Sequence, residues 1–331
     1  MTLVRELVRV APHAGAHRPA LRCAVSVGVP MLVLLGLGRV DLLGAAAFGA
    51  FTAIYGRDLT VPARSAVQAL TGTLLTASVG IGLVAAHLPG APWLELAVLV
   101  ALACAATVIG GMVDWKPGGP LFFVFAAGAF AGAPAQSAGA AAAILATTAG
   151  TAAFSVLVGS AGAVFPTHVR ARRPLVVRPA RATREDLLDV LLACALAAPV
   201  AVLVGVEHLY WVLIGAVVPL AAAHTTHRLA RGVHRVAGTA VGLLVAWPLL
   251  AADLPPWSVV LAAVLLQTAA ELLILRNYGL ALVCITPLAL VVGAIMHPAP
   301  TGDLLADRIL ATVVGVAAAL VVVVARRRPR S

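Results

Sequence analysis

The sequence predicts an all-α polytopic membrane protein with about twelve transmembrane helices, arranged as two parallel six-helix repeats. Three observations predict this class: the composition, a series of long apolar stretches, and a segment that recurs along the chain. Hydrophobic residues make up 62% of the 331 residues and charged residues only 11%, and the mean hydropathy is +1.04. Because soluble domains normally contain about 25% charged residues, we expect the lipid bilayer to surround this chain.

Twelve apolar stretches approach the length of about 20 helical residues that is needed to cross the hydrocarbon core. They lie at roughly 21–38, 41–56, 65–87, 92–113, 117–133, 137–160, 187–206, 209–225, 232–251, 256–275, 279–296 and 304–325. The second stretch of each half is short, so a shallow or partly re-entrant element is an alternative there. The stretches are continuously apolar rather than alternating, which disfavours a β-barrel.

A segment of the first half recurs in the second half at a constant offset of 166 residues. Asp41 aligns with Glu207, and Gly72-Thr73 aligns with Gly238-Thr239. Internal repeats of this kind are used by transporters to form a pathway between their halves. Six spans per half is an even number, so both halves begin on the same side of the membrane and the repeats are parallel.

The repeat and the predicted spans divide the chain into four parts. The first repeat with a short N-terminal segment covers 1–165, a basic linker covers 166–186, the second repeat covers 187–325, and a basic tail covers 326–331. We expect the linker to bind anionic lipid headgroups. It has no aromatic interleaving, so nucleic acid is not an expected partner.

The basic residues predict the orientation. With twelve spans and a cytoplasmic N-terminus, all of the 23 arginine and lysine residues except Arg39 and Arg308 fall in cytoplasmic segments. This asymmetry follows the positive-inside rule. Both termini are therefore predicted to be cytoplasmic.

No enzyme, cofactor or metal site is predicted. The chain has no phosphate-binding loop, GxSxG or HExxH motif. His224, His227 and His234 cluster around one loop, but no further ligand has suitable spacing for zinc.

Several segments together resemble the fusaric acid resistance protein-like (FUSC) membrane family. In the second half they are HLYWVLIGAVVPLAAAHTTHRLARGVHRVAGTAVGLL, from His208 to Leu244, and LRNYGLALVCITPLAL, from Leu275 to Leu290. In the first half, AHRPALRCAVSVGVP and FGAFTAIYGR resemble the same family more weakly. The resemblance covers most of the chain and is spread over several spans.

The resemblance implies a function in transport. The family is associated with export of aromatic carboxylates and other toxic small molecules, and its relatives include aluminium-activated malate transporters. It implies a transporter in the bacterial cell (plasma) membrane that exports small organic anions or toxic aromatic compounds, driven by the proton-motive force. An organic-anion channel of the malate-transporter type and a non-transporting membrane scaffold are the alternatives. A homo-oligomer is a further alternative.

Glu271 is the first candidate for the transport pathway, because ionisable groups inside a bilayer are costly and mark functional sites. It lies within the tenth span, about one turn before Arg276. It is interpreted either as the carboxylate that couples export to protons or as a structural partner of Arg276 or of a neighbouring polar helix.

Basic and aromatic residues near the predicted cytoplasmic side form the second set of candidates. Arg64 and Arg235 lie between spans two and three of each half, and Arg276, Asn277 and Tyr278 open the eleventh span. A guanidinium matches a carboxylate in bidentate fashion, so these arginines either draw organic anions into a central path or only determine topology.

Trp211, Thr73 and Thr239 complete the candidates. Trp211 belongs either to an interfacial aromatic belt or to a surface that stacks on an aromatic substrate. Thr73 and Thr239 begin matching helices, where they either pack at the seam between repeats or line the path.

Overall fold

A computed structural model describes the chain at residues 3–12, 15–88, 92–161, 177, 184–222, 224–252, 254–296 and 298–326. These residues are helical and contain no β-sheet. Most of the predicted linker and tail lies outside the described residues.

The first half contains a short N-terminal helix and six further helices, which are α1 (Leu3–Val8), α2 (His17–Gly36), α3 (Leu43–Ala50), α4 (Val61–Ala85), α5 (Pro92–Val113), α6 (Leu121–Ala131) and α7 (Ala138–Ala161). The second half contains α8 (Arg184–Leu203), α9 (Leu209–Leu220), α10 (Thr225–Ala251), α11 (Pro256–Leu273), α12 (Tyr278–Met296) and α13 (Thr301–Ala325). Two 3₁₀ segments, Val40–Leu42 and Phe51–Ile54, flank α3.

Within the described residues, nine helices are long and apolar enough to cross a membrane. The other three apolar helices are Val40–Ile54, Leu121–Ala131 and Leu209–Leu220, so the structure gives a multi-pass helical protein in which three of the twelve predicted spans are short. The prediction of 117–133 counted the loop Pro117–Pro120 as part of a span, although its two prolines and two glycines interrupt a helix.

The boundary between α9 and α10 also differs from the prediction. The ninth helix ends at Leu220, one residue after Pro219, and the tenth begins at Thr225. Residues 226–231 were predicted as loop, yet they form the first turns of α10. Arg235 is therefore the eleventh residue of a long helix, about 15 Å along its axis from the start at 1.5 Å per residue.

The short helices lie inside the molecule. Every residue of α3 and of α9 is buried. A helix of twelve residues is about 18 Å long, which is too short for the roughly 30 Å hydrocarbon core. Its terminal polar groups need protein or water around them, and here the longer helices supply that surrounding.

Helix packing follows the same scheme in both halves. In the first half α4 packs on α6 and α7, and α3 packs on α7; in the second half α10 packs on α12 and α13, and α9 packs on α13. Between the halves, α2 contacts α11, α5 contacts α8, α6 contacts α9, and α3 contacts α12. The short helices thus take part in the contacts between the halves, α3 with α12 and α6 with α9, and the candidate site lies among them.

Candidate functional site

A cavity of about 130 Å³ lies between the two halves of the chain. Its walls come from the segment after α3, from α6 and α9 to α13, and from the loop Pro117–Pro120. Most of the lining is apolar and includes Phe51, Phe122 and Phe125. Its charged lining residues are four arginines and one glutamate: Arg57, Arg231, Arg235, Arg308 and Glu271.

An ion pair joins the halves at one pole of this cavity. Arg57 Nη2 lies 3.1 Å from Glu271 Oε2, and both side chains are largely buried. Arg57 follows the 3₁₀ segment Phe51–Ile54, whereas Glu271 belongs to the last turns of α11. Arg22 of α2 acts electrostatically on the same carboxylate. The partner of Glu271 in the structure is thus Arg57, and not Arg276 as one interpretation of the sequence had it.

Arg235 and Tyr278 meet at the other pole. The Arg235 guanidinium donates a hydrogen bond from Nη1 to the Tyr278 hydroxyl over 3.1 Å. The guanidinium of Arg231 lies over the ring of Tyr278, 5.5 Å from its centroid, which is within range of a cation–π contact. Two of the predicted candidates, Arg235 and Tyr278, therefore line the cavity together with Arg231.

Arg308 of α13 also lines the cavity at this pole. It is the eighth residue of α13, which runs antiparallel to α10, and it is 3% exposed. Its guanidinium lies 4.8 Å from the centre of the Trp211 ring. In the sequence prediction Arg308 was one of two basic residues that do not fall in cytoplasmic segments, and it was not named as a candidate for the site. An arginine in an apolar helix marks a functional site, so this signal was present in the sequence.

Trp211 is held between Arg308 and His208. The His208 ring stacks on Trp211 with centroids 4.3 Å apart and planes inclined by 16°. Asp307 accepts hydrogen bonds from the backbone N–H groups of Glu207 and His208, at 2.9 and 3.1 Å. It also lies 2.7 Å from His208 Nδ1. Asp307 thereby holds the two residues that precede α9 and orients the His208 ring, which stacks on Trp211.

The other predicted arginine and asparagine candidates lie away from the cavity. Arg64 is buried in α4 and donates from Nη2 to the Gly159 carbonyl over 2.6 Å. Arg276 donates from Nε to the Ala11 carbonyl over 3.2 Å. Asn277 donates to the Leu7 carbonyl over 3.2 Å. These contacts join helices or hold the N-terminal segment.

The two predicted threonines also differ in position. Thr73 is exposed on α4 and donates to the carbonyl of Ala69, one turn before it. Thr239 is fully buried in α10, next to Gly238, where an added Cβ would lie 2.7 Å from the Leu282 side chain of α12. Neither threonine lines the cavity.

Aromatic side chains separate the cavity from an apolar chamber. Phe51 and Phe125 line both spaces, with ring centroids 6.3 Å apart. Phe125 also stacks on Tyr210, with centroids 5.9 Å apart. The chamber continues to Met31 and Met296, near the other ends of α2 and α12. The charged cavity and the apolar chamber are therefore neighbours that share these two phenylalanines.

Among the residues that the structure describes, no group of three or more histidine, cysteine, aspartate or glutamate side chains could hold a metal ion. Two histidines of the cluster contact the N-terminal segment. His227 Nδ1 lies 3.4 Å from the Glu6 carboxylate, and His234 Nε2 lies 3.0 Å from the Leu7 carbonyl.

Sequence comparison finds a similar family for the part of the chain that contains most of the residues that line the cavity. The model of the family described as fusaric acid resistance protein-like matches residues 184–322. Residues 184–322 are therefore similar to this family. No curated protein and no solved structure matches the chain. The fusaric acid resistance protein-like domain contains Glu271, Arg235, Tyr278 and Arg308, and the family is a membrane family associated with efflux and resistance.

Proposed function

We propose that the protein is a secondary transporter that exports small organic anions through the cavity between its halves, driven by the proton-motive force. The observation that carries this proposal is the charge of the cavity, which is lined by four guanidinium groups and one carboxylate. Charges interact strongly where water is scarce, so an anionic solute is favoured there.

The cavity limits the size of this anion. Its volume of about 130 Å³ is close to the roughly 150 Å³ of an engineered protein cavity that binds benzene. Its apolar walls include Phe51, Phe122 and Phe125. A compact anion with a single ring or a short chain fits this combination, which agrees with the small aromatic acids that the family resemblance implies.

Glu271 supplies a means of coupling. As a carboxylate it is paired with Arg57 across the halves. A proton on Glu271 removes the negative charge that holds Arg57, so proton binding weakens this contact between the halves. Transporters built from two halves expose a central site alternately by movement of one half against the other. Protonation of Glu271 would therefore favour this movement.

The packing supports a two-repeat organisation. Gly49 of α3 and Gly215 of α9 occupy equivalent positions at the offset of 166 residues. An added Cβ at Gly49 would collide with the Thr148 carbonyl of α7, and one at Gly215 would lie 3.1 Å from Gly315 Cα of α13. Thus α3 approaches α7 in the first half, and α9 approaches α13 in the second half, each at an equivalent glycine. We place both termini in the bacterial cytoplasm on the distribution of basic residues.

An organic-anion channel is the second candidate, and the excess of arginines over carboxylates in the cavity favours it. A membrane potential contributes about 2.3 kcal/mol of free energy per unit charge and per 100 mV. An inside-negative potential therefore drives anions outward without a coupled proton. A channel needs no titrating group, so Glu271 would then be only a structural partner of Arg57.

Flux of labelled benzoate into purified proteoliposomes separates these candidates. Under an imposed pH gradient at zero membrane potential, a proton-coupled exporter accumulates benzoate and Glu271→Gln abolishes that accumulation. A channel responds to potential alone and keeps its flux in Glu271→Gln. Protein-free liposomes at the same pH gradient give the passive movement of benzoic acid, which is subtracted. Absence of any protein-dependent flux for a panel of small monoanions would reject both transport proposals and leave the scaffold.

A further inference from the structure

The two poles of the cavity differ in charge balance. At the first pole Arg57 is paired with Glu271. At the second pole Arg231, Arg235 and Arg308 line the cavity, and no acidic side chain lines it beside them among the described residues. Arg235 lies close enough to Arg308 for their like charges to interact, and such repulsion is costly in a protein interior.

The second pole also has hydrogen-bond donors without acceptors. Arg308 is 3% exposed and Arg235 is 2% exposed. Nevertheless, Nε and Nη1 of Arg308 and Nε of Arg235 have no hydrogen-bond partner within the described part of the chain. Buried donors are normally satisfied, and a buried charged donor without an acceptor is especially unfavourable.

The nearest acid is already occupied. Asp307 precedes Arg308 on α13 and acts on it electrostatically. However, one of its carboxylate oxygens accepts from the Glu207 N–H group, and the other accepts from the His208 N–H group and faces His208 Nδ1. Asp307 therefore orients the Arg308 side chain through the adjacent stack on Trp211 but does not satisfy its N–H groups.

We infer that Arg235 and Arg308 form a binding site for the oxyanion group of a small monoanion, with the Trp211 ring under Arg308. An oxyanion placed between the two guanidinium groups would satisfy N–H donors of both side chains and offset their repulsion. This inference rests on the proposed function and specifies where the anion binds. Since both arginines belong to the fusaric acid resistance protein-like domain, the bound anion would move with the second half of the chain.

Direct binding of ¹⁴C-benzoate to the purified full chain in detergent tests this inference without transport. We expect Arg308→Gln and Arg235→Gln each to raise the dissociation constant about tenfold or more, because each removes charge-assisted hydrogen bonds. Arg308→Lys keeps the charge but loses the planar fork, and we expect a smaller increase of about threefold to tenfold. Arg39→Gln is the matched control, because Arg39 pairs with Asp41 on an exposed loop, and it should bind benzoate like the unmodified chain.

Competition identifies the recognised group. Unlabelled benzenesulfonate should displace benzoate, whereas the neutral isostere benzamide should not. Unchanged affinity in both Arg308→Gln and Arg308→Lys would overturn the inference, as would absence of benzoate binding in the unmodified chain or equal displacement by benzamide. If Arg308→Gln does not fold, as judged by its elution profile, the Arg308→Lys result decides.

The site and the proposed function can fail separately. Arginine-dependent binding without flux in proteoliposomes would reject the exporter and retain the site. Flux of benzoate that is unaffected by Arg308→Gln would reject the site and retain the transporter.

Discussion

The Arg57 guanidinium and the Glu271 carboxylate form an ion pair between the halves of the chain, with Nη2 and Oε2 3.1 Å apart. Arg57 lies directly beyond a short buried segment of the first half, and Glu271 lies near the end of α11 in the second half. The pair is a charged contact between the halves at the cavity wall. Its energetics therefore bear on both stability and coupling.

Removal of one member of this pair should be strongly destabilising. Breaking a buried ion pair leaves an uncompensated charge and typically costs about 3–5 kcal/mol. We expect Arg57→Gln and Glu271→Gln each to lower the thermal unfolding midpoint in detergent. The double variant should lose less than the sum of the two, since no buried charge is then left alone. Strict additivity of the two losses would show that the pair contributes no coupling energy.

Asp307→Asn should destabilise the contact between the start of α13 and the residues that precede α9. Asp307 accepts hydrogen bonds from the backbone N–H groups of Glu207 and His208 and faces His208 Nδ1. A hydrogen bond to a charged group contributes about 1.5–3 kcal/mol, so the loss of the carboxylate charge should be measurable. The measurement is the thermal unfolding midpoint of the purified protein.

The matched control is Asp303→Asn, one turn earlier on the same helix, where Asp303 is exposed. It should leave the midpoint nearly unchanged. Because Asp307 also fixes the Trp211 stack, Asp307→Asn should weaken benzoate binding as well. A full loss of stability at both positions would contradict a specific role of Asp307.

The sequence contains enough information for the membrane class and for an apolar helix in each of the twelve stretches, because long apolar stretches have few alternatives. The sequence was less informative about helix boundaries and burial. The prediction counted the loop Pro117–Pro120 as helix and the first turns of α10 as loop. The complete burial of α3 and α9 depends on tertiary packing, which the sequence pattern does not give. Glu271 was singled out because charges in apolar helices are rare, whereas Arg235 was singled out because a guanidinium near the cytoplasmic side could attract an organic anion.

Arg57 could not be found in the same way. It lies in a loop that the positive-inside rule explains fully, and its contact with Glu271 depends on how the two halves meet. Arg308 lies inside the predicted span 304–325, close to its start, and was treated only as an exception to the distribution of basic residues. Its contact with Trp211 depends on how α13 packs on α9, which the sequence does not give.

Asn277→Ala should release the N-terminal segment. The Asn277 amide donates to the Leu7 and Arg9 carbonyls, over 3.2 and 3.1 Å. We expect faster hydrogen exchange in residues 3–12, because fewer contacts then oppose local opening. The exchange of α9 amides in the same protein is the internal control, since α9 is fully buried and lies elsewhere. Unchanged exchange in residues 3–12 would show that other contacts, such as that of Arg276 with Ala11, hold the segment alone.

Gly315→Ala should disrupt the packing of α13 on α9. An added Cβ would collide with the Val212 carbonyl and lie 2.8 Å from Gly215 Cα, and both are backbone atoms that no side-chain rotation can move. Overpacking of this kind costs about 1–3 kcal/mol. The control is Gly150→Ala in the middle of α7, where an added Cβ would meet nothing within 4 Å. That change should be neutral or slightly stabilising, because alanine favours helix over glycine by about 1 kcal/mol. Thermal unfolding of the two variants in the same detergent measures the difference, and equal midpoints would mean that α9 and α13 can separate without loss of stability.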